Sequence, residues 1–260
     1  GEIEEILKET AGMCGITIHG ISTGLTPSGI DLGSGGFSVL TIPSVMLVVE
    51  DGTPADDAGE IWHLLDVRYG IPVTLITPSR MTSADLSKYN VIIIAGNPSL
   101  LNNAVDRLRE WNRSGGTLIG YRGGNRWLAA NKFAEISYID SPAADPERER
   151  TYATRSVNRA VQTVPGTIFN ATVDITHPLC YGYTRPTLPV FKTDASAVKV
   201  TGSSYNTPVK YTEDPLLSGY CSKENIERIS NSAVIAVHQG PGRVISIYDD
   251  TNFRAIWYGT

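Results

Sequence analysis

The chain of 260 residues is long enough to bury one substantial core, and its 27 acidic and 22 basic side chains give a formal net charge of −5. This charge balance, with no dense Lys/Arg cluster in the sequence, argues against nucleic acid and against a membrane as partners. No apolar run approaches the roughly 20 residues that a membrane-spanning helix needs. The three cysteines are too few for a disulfide framework and lack zinc-binding spacing, and a bridge between Cys180 and Cys221 is left as an open alternative.

Residues 1–42 are expected to form an N-terminal arm or linker outside the central sheet. Residues 2–10 have the spacing of a short amphipathic helix, and residues 16–21 alternate as a half-buried strand does. A glycine-rich loop at 24–36 follows.

Residues 43–260 are predicted to form one α/β domain, because short apolar runs alternate with helical stretches from residue 45 onward. The predicted strands are 45–49, 73–77, 91–95 and 117–121, and the predicted helices are 58–69, 83–88, 98–113 and 125–136. This order predicts a doubly wound, mostly parallel sheet of the flavodoxin-like or class I amidotransferase-like type. Its crevice should lie at the carboxyl ends of the strands, where the loops 50–54, 96–98 and 121–125 converge.

Residues 137–232 lose this alternation and predict an irregular, strand-rich excursion without helices, either a lid or an edge sheet. Two further strands are predicted at 233–238 and 243–248, joined by a four-residue connection. A capped helix should begin at Phe253.

The corner that follows the fourth predicted strand is the first candidate site. Residues 123–125 would offer backbone N–H groups at a helix start, and Arg122 and Arg126 would add positive charge, so an anion could bind there. The alternative is a purely structural turn. Acyl transfer needs a thiol or hydroxyl at the apex, and the corner has neither, so no catalytic residue is predicted. The candidate ligand-binding residues are Glu60, Tyr121, Arg122, Gly123, Gly124, Asn125, Arg126 and His177.

Glu60 is a candidate because its helix follows the first crevice loop, which could aim it towards Arg122 or Arg126. It also shares helical spacing with His63 and Asp66, which would make a partial metal-ligand set. An ordinary helix face is the favoured interpretation, so neither a metal nor another cofactor is predicted.

Two later segments offer further polar groups. His177 lies in an aromatic stretch that resembles a binding loop, although such residues also close a loop onto a core. A second set could complete a pocket or could serve only the hairpin and its cap, and it consists of His238, Asp249, Asp250 and Arg254.

Four segments together resemble the amidotransferase-like domain that follows the catalytic domain in some bacterial zinc carboxypeptidases. They are residues 29–34 (GIDLGS), 58–66 (AGEIWHLLD), 176–183 (THPLCYGY) and 253–260 (FRAIWYGT). The resemblance implies a class I amidotransferase-like fold in a periplasmic or secreted parent enzyme. It also implies the peptidase domain of the same chain as a partner and a peptide or glycan as a ligand.

The sequence departs from the active members of both families. The His-x-x-Glu pair of the peptidase zinc site is missing, the corner carries Arg122 where amidotransferases carry a cysteine, and His238 is followed by Gln-Gly instead of x-Glu. The expected function is therefore a non-catalytic accessory domain that binds substrate, an anionic group or a glycan at the corner. The alternative is a hydrolase of unfamiliar chemistry that uses Glu60, His177 and Arg122.

Overall fold

A computed structural model describes residues 1–36, 40–141, 151–200, 202–238, 240 and 242–257. They divide into two units, Gly1–Ile42 and Pro43–Thr260. The first unit contains helix α1 (Glu2–Cys14), which ends at Gly15 in the left-handed conformation, with φ 64°. The strand predicted at 16–21 is wrong: its isoleucines are exposed and no strand pairs with it in the described part of the chain. Sequence alternation alone does not supply the partner strand that a ladder requires.

The second unit is built on a nine-stranded sheet in the order β2-β1-β3-β4-β9-β8-β7-β5-β6. The first five strands in that order are parallel, and the pairs from β9 onward are antiparallel. This confirms the predicted α/β sheet with a parallel core. The strands are β1 (Val45–Val48), β2 (Val73–Ile76), β3 (Val91–Ile94), β4 (Thr117–Tyr121), β5 (Thr167–Val173), β6 (Thr187–Lys192), β7 (Val209–Ser218), β8 (Ala233–His238) and β9 (Arg243–Ile247).

Several helices are shorter than predicted. The described α-helices after α1 are α2 (Ala55–Trp62), α3 (Pro78–Met81), α4 (Val105–Arg113), α5 (Gly124–Ala130), α6 (Arg155–Val161) and α7 (Lys223–Ile229). A π-helix (His63–Arg68) extends α2, and a 3-10 helix (Ser99–Ala104) precedes α4. The stretch 83–88 forms only a 3-10 turn (Leu86–Lys88). The predicted helix at Phe253 is also a single 3-10 turn (Phe253–Ala255), because Arg254 has a φ of 50°, which lies outside the range of a right-handed helix. None of the described helices is long and apolar enough to cross a membrane.

The two central parallel strands, β1 (VMLV) and β3 (VIII), are apolar along their whole length, as expected for strands with both faces covered. Met46 and Ile92 face one way and pack with Trp127 of α5, while Leu47 faces the other way and packs with Ile61 of α2. Each such side chain contributes about 1.5–3 kcal/mol when it is removed from water. Because β1, β3 and β4 are parallel neighbours, the loops that follow them emerge at the same edge of the sheet.

The stretch 137–232 supplies the antiparallel edge of the same sheet and has a core of its own around Phe169 and Tyr211. The expectation that it lacks helices is wrong, because α6 and α7 lie within it. Ser222 begins α7, and its hydroxyl accepts a hydrogen bond from the backbone N–H of Asn225 at 3.3 Å. The bridge between Cys180 and Cys221 is not formed, and both are buried free thiols. Residues 142–150 of this stretch lie outside the described residues.

Candidate functional site

The chain turns sharply between β4 and α5, and Arg122 stands at the apex with a φ of 45°. Glycines flank it two positions away on each side, and neither has room for a side chain. A Cβ on Gly120 would lie 2.5 Å from the Oδ1 atom of Asn125, and one on Gly124 would lie 1.7 Å from the carbonyl oxygen of Ile94. A strained non-glycine residue framed by two such glycines is the geometry that α/β hydrolases use to present a nucleophile. We call residues 120–125 the elbow.

The loops after β1 and β3 meet the elbow, as predicted for the carboxyl edge of the sheet. The N–H of Asn97 donates to the carbonyl oxygen of Gly52 at 3.2 Å. A Cβ on Gly96 would lie 2.2 Å from the same oxygen, and one on Gly123 would lie 3.5 Å from the carbonyl oxygen of Ala95. The three loops therefore form one tightly packed backbone platform.

The side chain at the apex is held as a cation. Nη1 of Arg122 donates to Oδ1 of Asp57 at 2.5 Å, and Nη2 donates to Oγ1 of Thr193 at 3.2 Å. Asp250 and Asp194 lie 3.8 and 3.9 Å from the guanidinium. Burial alone would lower the pKa of Arg122, but the neighbouring carboxylates outweigh burial and raise the pKa. The apex of the elbow therefore carries a charged arginine that is paired with carboxylates, and it offers no nucleophile.

Three buried carboxylates gather behind Arg122. One oxygen each from Asp57, Glu60 and Asp250 lies within 4.8 Å of the others. Oε1 of Glu60 accepts the backbone N–H of Arg254 at 2.6 Å, whereas Oε2 is buried without a hydrogen-bond partner. Burial raises the pKa of Glu60 to about 7 and that of Asp57 to about 6, and Arg122 opposes the rise only at Asp57.

Tyr121 supports this group from the end of β4. Its hydroxyl donates to carboxylate Oδ1 of Asp250 at 3.1 Å or to the side-chain oxygen of Asn252 at 3.2 Å, and it accepts the N–H of Thr251 at 3.1 Å. Burial raises the pKa of Tyr121 above its ordinary value. The phenol therefore stays neutral and fixes the loop after β9 against the elbow.

A second buried ion pair lies beside the elbow. The ammonium group of Lys192, at the end of β6, contacts Oδ1 of Asp249, and the hydroxyl of Tyr211 donates to Oδ2 of the same carboxylate at 2.9 Å. Burial alone would lower the pKa of Lys192, but the charges of Asp249 and Asp194 raise it. The pair ties the antiparallel edge of the sheet to the loop that carries Asp250.

A cavity of about 680 Å³ opens over the elbow. Three arginines reach it, and tyrosines and the loop after β6 form its walls. Its lining includes Arg122, Gly123, Arg126, Tyr138, Asp140, Asp194, Arg228 and Tyr248.

Arg126 is the least engaged of the three arginines. Its guanidinium lies 4.8 Å from the ring centroid of Tyr138, and within the described residues no carboxylate lies at ion-pair distance from it. Arg228 instead donates to the side-chain oxygen of Asn225 at 2.8 Å and to the carbonyl oxygen of Ile139 at 2.9 Å. Among the described residues the cavity therefore offers at least one cation, that of Arg126, without a carboxylate partner.

The predicted residues from Tyr121 to Arg126 lie in two layers. Arg122, Gly123 and Arg126 line the cavity, whereas Tyr121, Gly124 and Asn125 are buried beneath it. Glu60 belongs to the group of buried carboxylates. It accepts a hydrogen bond from the backbone N–H of Arg254, whereas the sequence had suggested a pairing with the side chain of Arg122 or Arg126. Sequence analysis missed Asp57, although its spacing from Glu60, three residues apart on α2, puts both on one helix face.

The histidines predicted near the crevice lie elsewhere. His177 follows β5, which runs opposite to β4 and β9, so it emerges at the other edge of the sheet, where Nδ1 accepts the N–H of Leu179. His238 ends β8 at that same far edge and hydrogen-bonds Ser246. The alternative site of Glu60, Arg122 and His177 is therefore not assembled.

The metal-ligand set that includes His63 is not assembled either. Asp66 accepts the N–H of Val73 and closes the turn into β2. Among the described residues, the group of three potential ligands that does form is Asp57, Glu60 and Asp250.

Comparisons with known proteins bear on the fold. No protein-family model matches the sequence, and a search of curated proteins finds no match. A ThuA-like protein from Parabacteroides merdae superposes with a TM-score of 0.53 at 12% identity, over 80% of this chain and 79% of that one.

Two amidotransferase-related structures are also similar. A protein assigned as a GMP synthase subunit from Thermoplasma acidophilum gives a TM-score of 0.50 at 10% identity, over 84% of this chain and 88% of that one. A glutamine amidotransferase from Thermotoga maritima gives 0.49 at 10% identity, over 81% and 76%. At such low identity these likenesses concern the fold alone, and this chain has a class I amidotransferase-like α/β fold.

Proposed function

We propose that this chain is a non-catalytic binding domain that holds an anionic group in the cavity over the elbow. The observation that carries the proposal is the residue at the apex: Arg122 occupies the position from which this turn presents a nucleophile, and its guanidinium is tied to Asp57. An arginine does not attack a carbonyl at neutral pH, because its pKa stays far above 7. The geometry that remains suits binding.

Arg126 defines the chemistry of the ligand. It enters the cavity from α5, is stacked against Tyr138, and keeps its hydrogen-bond donors available. A planar guanidinium binds carboxylate or phosphate groups with two parallel hydrogen bonds, and the ring beside it suits a sugar or peptide face. The ligand is therefore a peptide or glycan that carries a carboxylate or phosphate.

The resemblance to domains of zinc carboxypeptidases supports a role beside a peptidase. In that role the domain would pack against the peptidase domain of the same parent chain, outside the cytoplasm, and present substrate to it. A carboxypeptidase substrate ends in a free carboxylate, which is the group that Arg126 is suited to bind.

The binding proposal is tested by calorimetry with matched anionic and neutral compounds. We expect an acetylated dipeptide acid or D-glucuronate to bind, and the corresponding peptide amide and glucose to bind more weakly. Arg126→Gln should weaken binding about 10- to 100-fold, the range for loss of a charge-assisted hydrogen bond. Arg109→Gln is the control, because Arg109 also stacks on an aromatic ring, Phe133, but lies outside the cavity lining.

Failure of every anionic compound to bind would refute the proposal, as would equal affinity in the Arg126→Gln and wild-type proteins. The accessory role has a separate test, which compares the parent peptidase with and without this domain on short peptides and on glycosylated substrates. If removal of this domain leaves the rate unchanged on both substrate classes, the accessory role is rejected. Ligand binding would then be judged by calorimetry alone.

A further inference from the structure

Within the part of the chain that the structure describes, the carboxylates behind Arg122 carry more negative charge than the side chains around them balance. Asp57, Glu60 and Asp250 are all buried, with exposed fractions of 2%, 9% and 3%. Among the described residues, the basic side chain at ion-pair distance is that of Arg122, which lies near Asp57 and Asp250. When all four groups are ionised, three negative charges face one positive charge, so two negative charges remain uncompensated in a buried site.

One carboxylate oxygen in this group accepts no hydrogen bond from the described residues. Oε1 of Glu60 is used by the N–H of Arg254, whereas Oε2 is buried and makes no hydrogen bond. Burying an unpaired carboxylate oxygen costs several kcal/mol, so such atoms normally face a proton or a metal ion.

We propose that Asp57, Glu60 and Asp250 bind a divalent cation, with Ca²⁺ as the ion that fits best. The donors are carboxylate oxygens alone, which are the ligands of the hard cations Mg²⁺ and Ca²⁺. A cation of charge +2 would cancel the residual charge of the three carboxylates and Arg122.

The coordination that the site can offer favours the larger ion. The three carboxylate oxygens lie within 4.8 Å of one another. Ca²⁺ accepts roughly six to eight oxygen ligands in a flexible arrangement, whereas Mg²⁺ demands a near-ideal octahedron and gives up its water reluctantly. Ca²⁺ therefore suits this site better, and water on the cavity side, where Asp57 is part of the lining, would complete its coordination.

The position of the site gives the cation a structural role at the elbow. Glu60 lies on α2, and Asp250 follows β9, so the ion would join two segments that are far apart in sequence. Asp57 would then bind both the cation and the guanidinium of Arg122, which fixes the apex side chain at the floor of the cavity. This inference does not depend on which ligand the cavity holds.

The test is calorimetric titration of Ca²⁺ and Mg²⁺ into the full chain after treatment with a chelator. We expect one Ca²⁺ per chain, bound at least tenfold more tightly than Mg²⁺. Glu60→Gln, which keeps the shape of the side chain but removes its charge, should weaken Ca²⁺ binding at least tenfold. Asp106→Asn is the control, because Asp106 is an exposed carboxylate on α4 that pairs with Arg109.

Thermal unfolding separates a ligand role for Glu60 from a packing role. At the same Ca²⁺ concentration, the unfolding midpoint should rise more in the wild-type and Asp106→Asn proteins than in Glu60→Gln. Without Ca²⁺ the Glu60→Gln protein should be at least as stable as the wild type. Asp57→Asn repeats the test if Glu60→Gln does not fold. No Ca²⁺ binding at millimolar concentration, or equal binding by wild type and the folded variant, would overturn the proposal; tighter Mg²⁺ than Ca²⁺ binding would overturn the choice of ion.

Discussion

Gly124→Ala should be among the most destabilising single-methyl additions in this chain, because the new Cβ would meet backbone on the neighbouring strand. It would lie 1.7 Å from the carbonyl oxygen of Ile94 and 2.6 Å from its carbon, whereas ordinary carbon contacts are about 3.5 Å. Relief requires α5 to move by about 1.5–2 Å away from β3. Overpacking a core typically costs about 1–3 kcal/mol, and contact with rigid backbone places this case at about 3 kcal/mol or more.

The adjacent glycine provides the control. A Cβ on Gly123 would lie no closer than 3.5 Å to its nearest neighbour, so Gly123→Ala should change the free energy of unfolding by less than about 1 kcal/mol. Gly120→Ala should fall between the two, because its Cβ would meet the movable side chains of Asn125 and Leu128. Urea unfolding followed by circular dichroism measures all three. Equal midpoints for Gly124→Ala and Gly123→Ala would show that α5 does not pack on β3 as closely as the elbow requires.

Three further variants or conditions test the charges behind the elbow. In the presence of a chelator, stability should fall by about 1–2 kcal/mol as the pH rises from about 5 to 7.5. The folded state holds protons on Glu60, whose pKa is raised to about 7, and on Asp57, whose pKa is raised to about 6, and the unfolded chain has already released both. Glu60→Gln should make this profile shallower. Lys192→Met should lower the free energy of unfolding in urea by about 3–5 kcal/mol, because it leaves Asp249 buried without its counter-charge. Adding Asp249→Asn should recover part of this stability. A double variant that is no more stable than Lys192→Met would contradict the pairing. Tyr121→Phe should lower the free energy of unfolding by about 1–3 kcal/mol, because Asp250 loses a donor and the N–H of Thr251 loses its acceptor. An unchanged unfolding midpoint would contradict the hydrogen-bond network around this phenol.

The parallel half of the sheet was predictable because its signal is local. The runs VMLV at β1 and VIII at β3 are apolar throughout, which is typical of strands that are covered on both faces. The glycines at the elbow mark a tight turn. The crevice at the carboxyl edge followed from the same pattern. The isoleucines at 16–21 carried an equally regular alternation and formed no strand, because pairing depends on a neighbour that the local sequence does not contain.

The candidate site was harder to predict because strand direction decides which side chains meet. His177 resembles a binding residue in sequence, but β5 runs antiparallel to its neighbours and carries it to the far edge of the sheet. Lys192 and Asp194 reach the elbow because β6 runs the other way. Asp57 could have been inferred from its spacing to Glu60, whereas the contribution of Asp250 depends on the packing of β9 beside β4.

The central claim, that the cavity over the elbow binds an anionic group through Arg126, is tested most directly by side-chain nitrogen NMR of the arginines. The probes are an acetylated dipeptide acid and D-glucuronate, each compared with its neutral counterpart. An anionic probe should shift the Nε–H signal of Arg126 in a saturable way and leave that of Arg109 in place. An unshifted Arg126 signal, or the same shift with the neutral compounds, would contradict binding of an anionic group through Arg126.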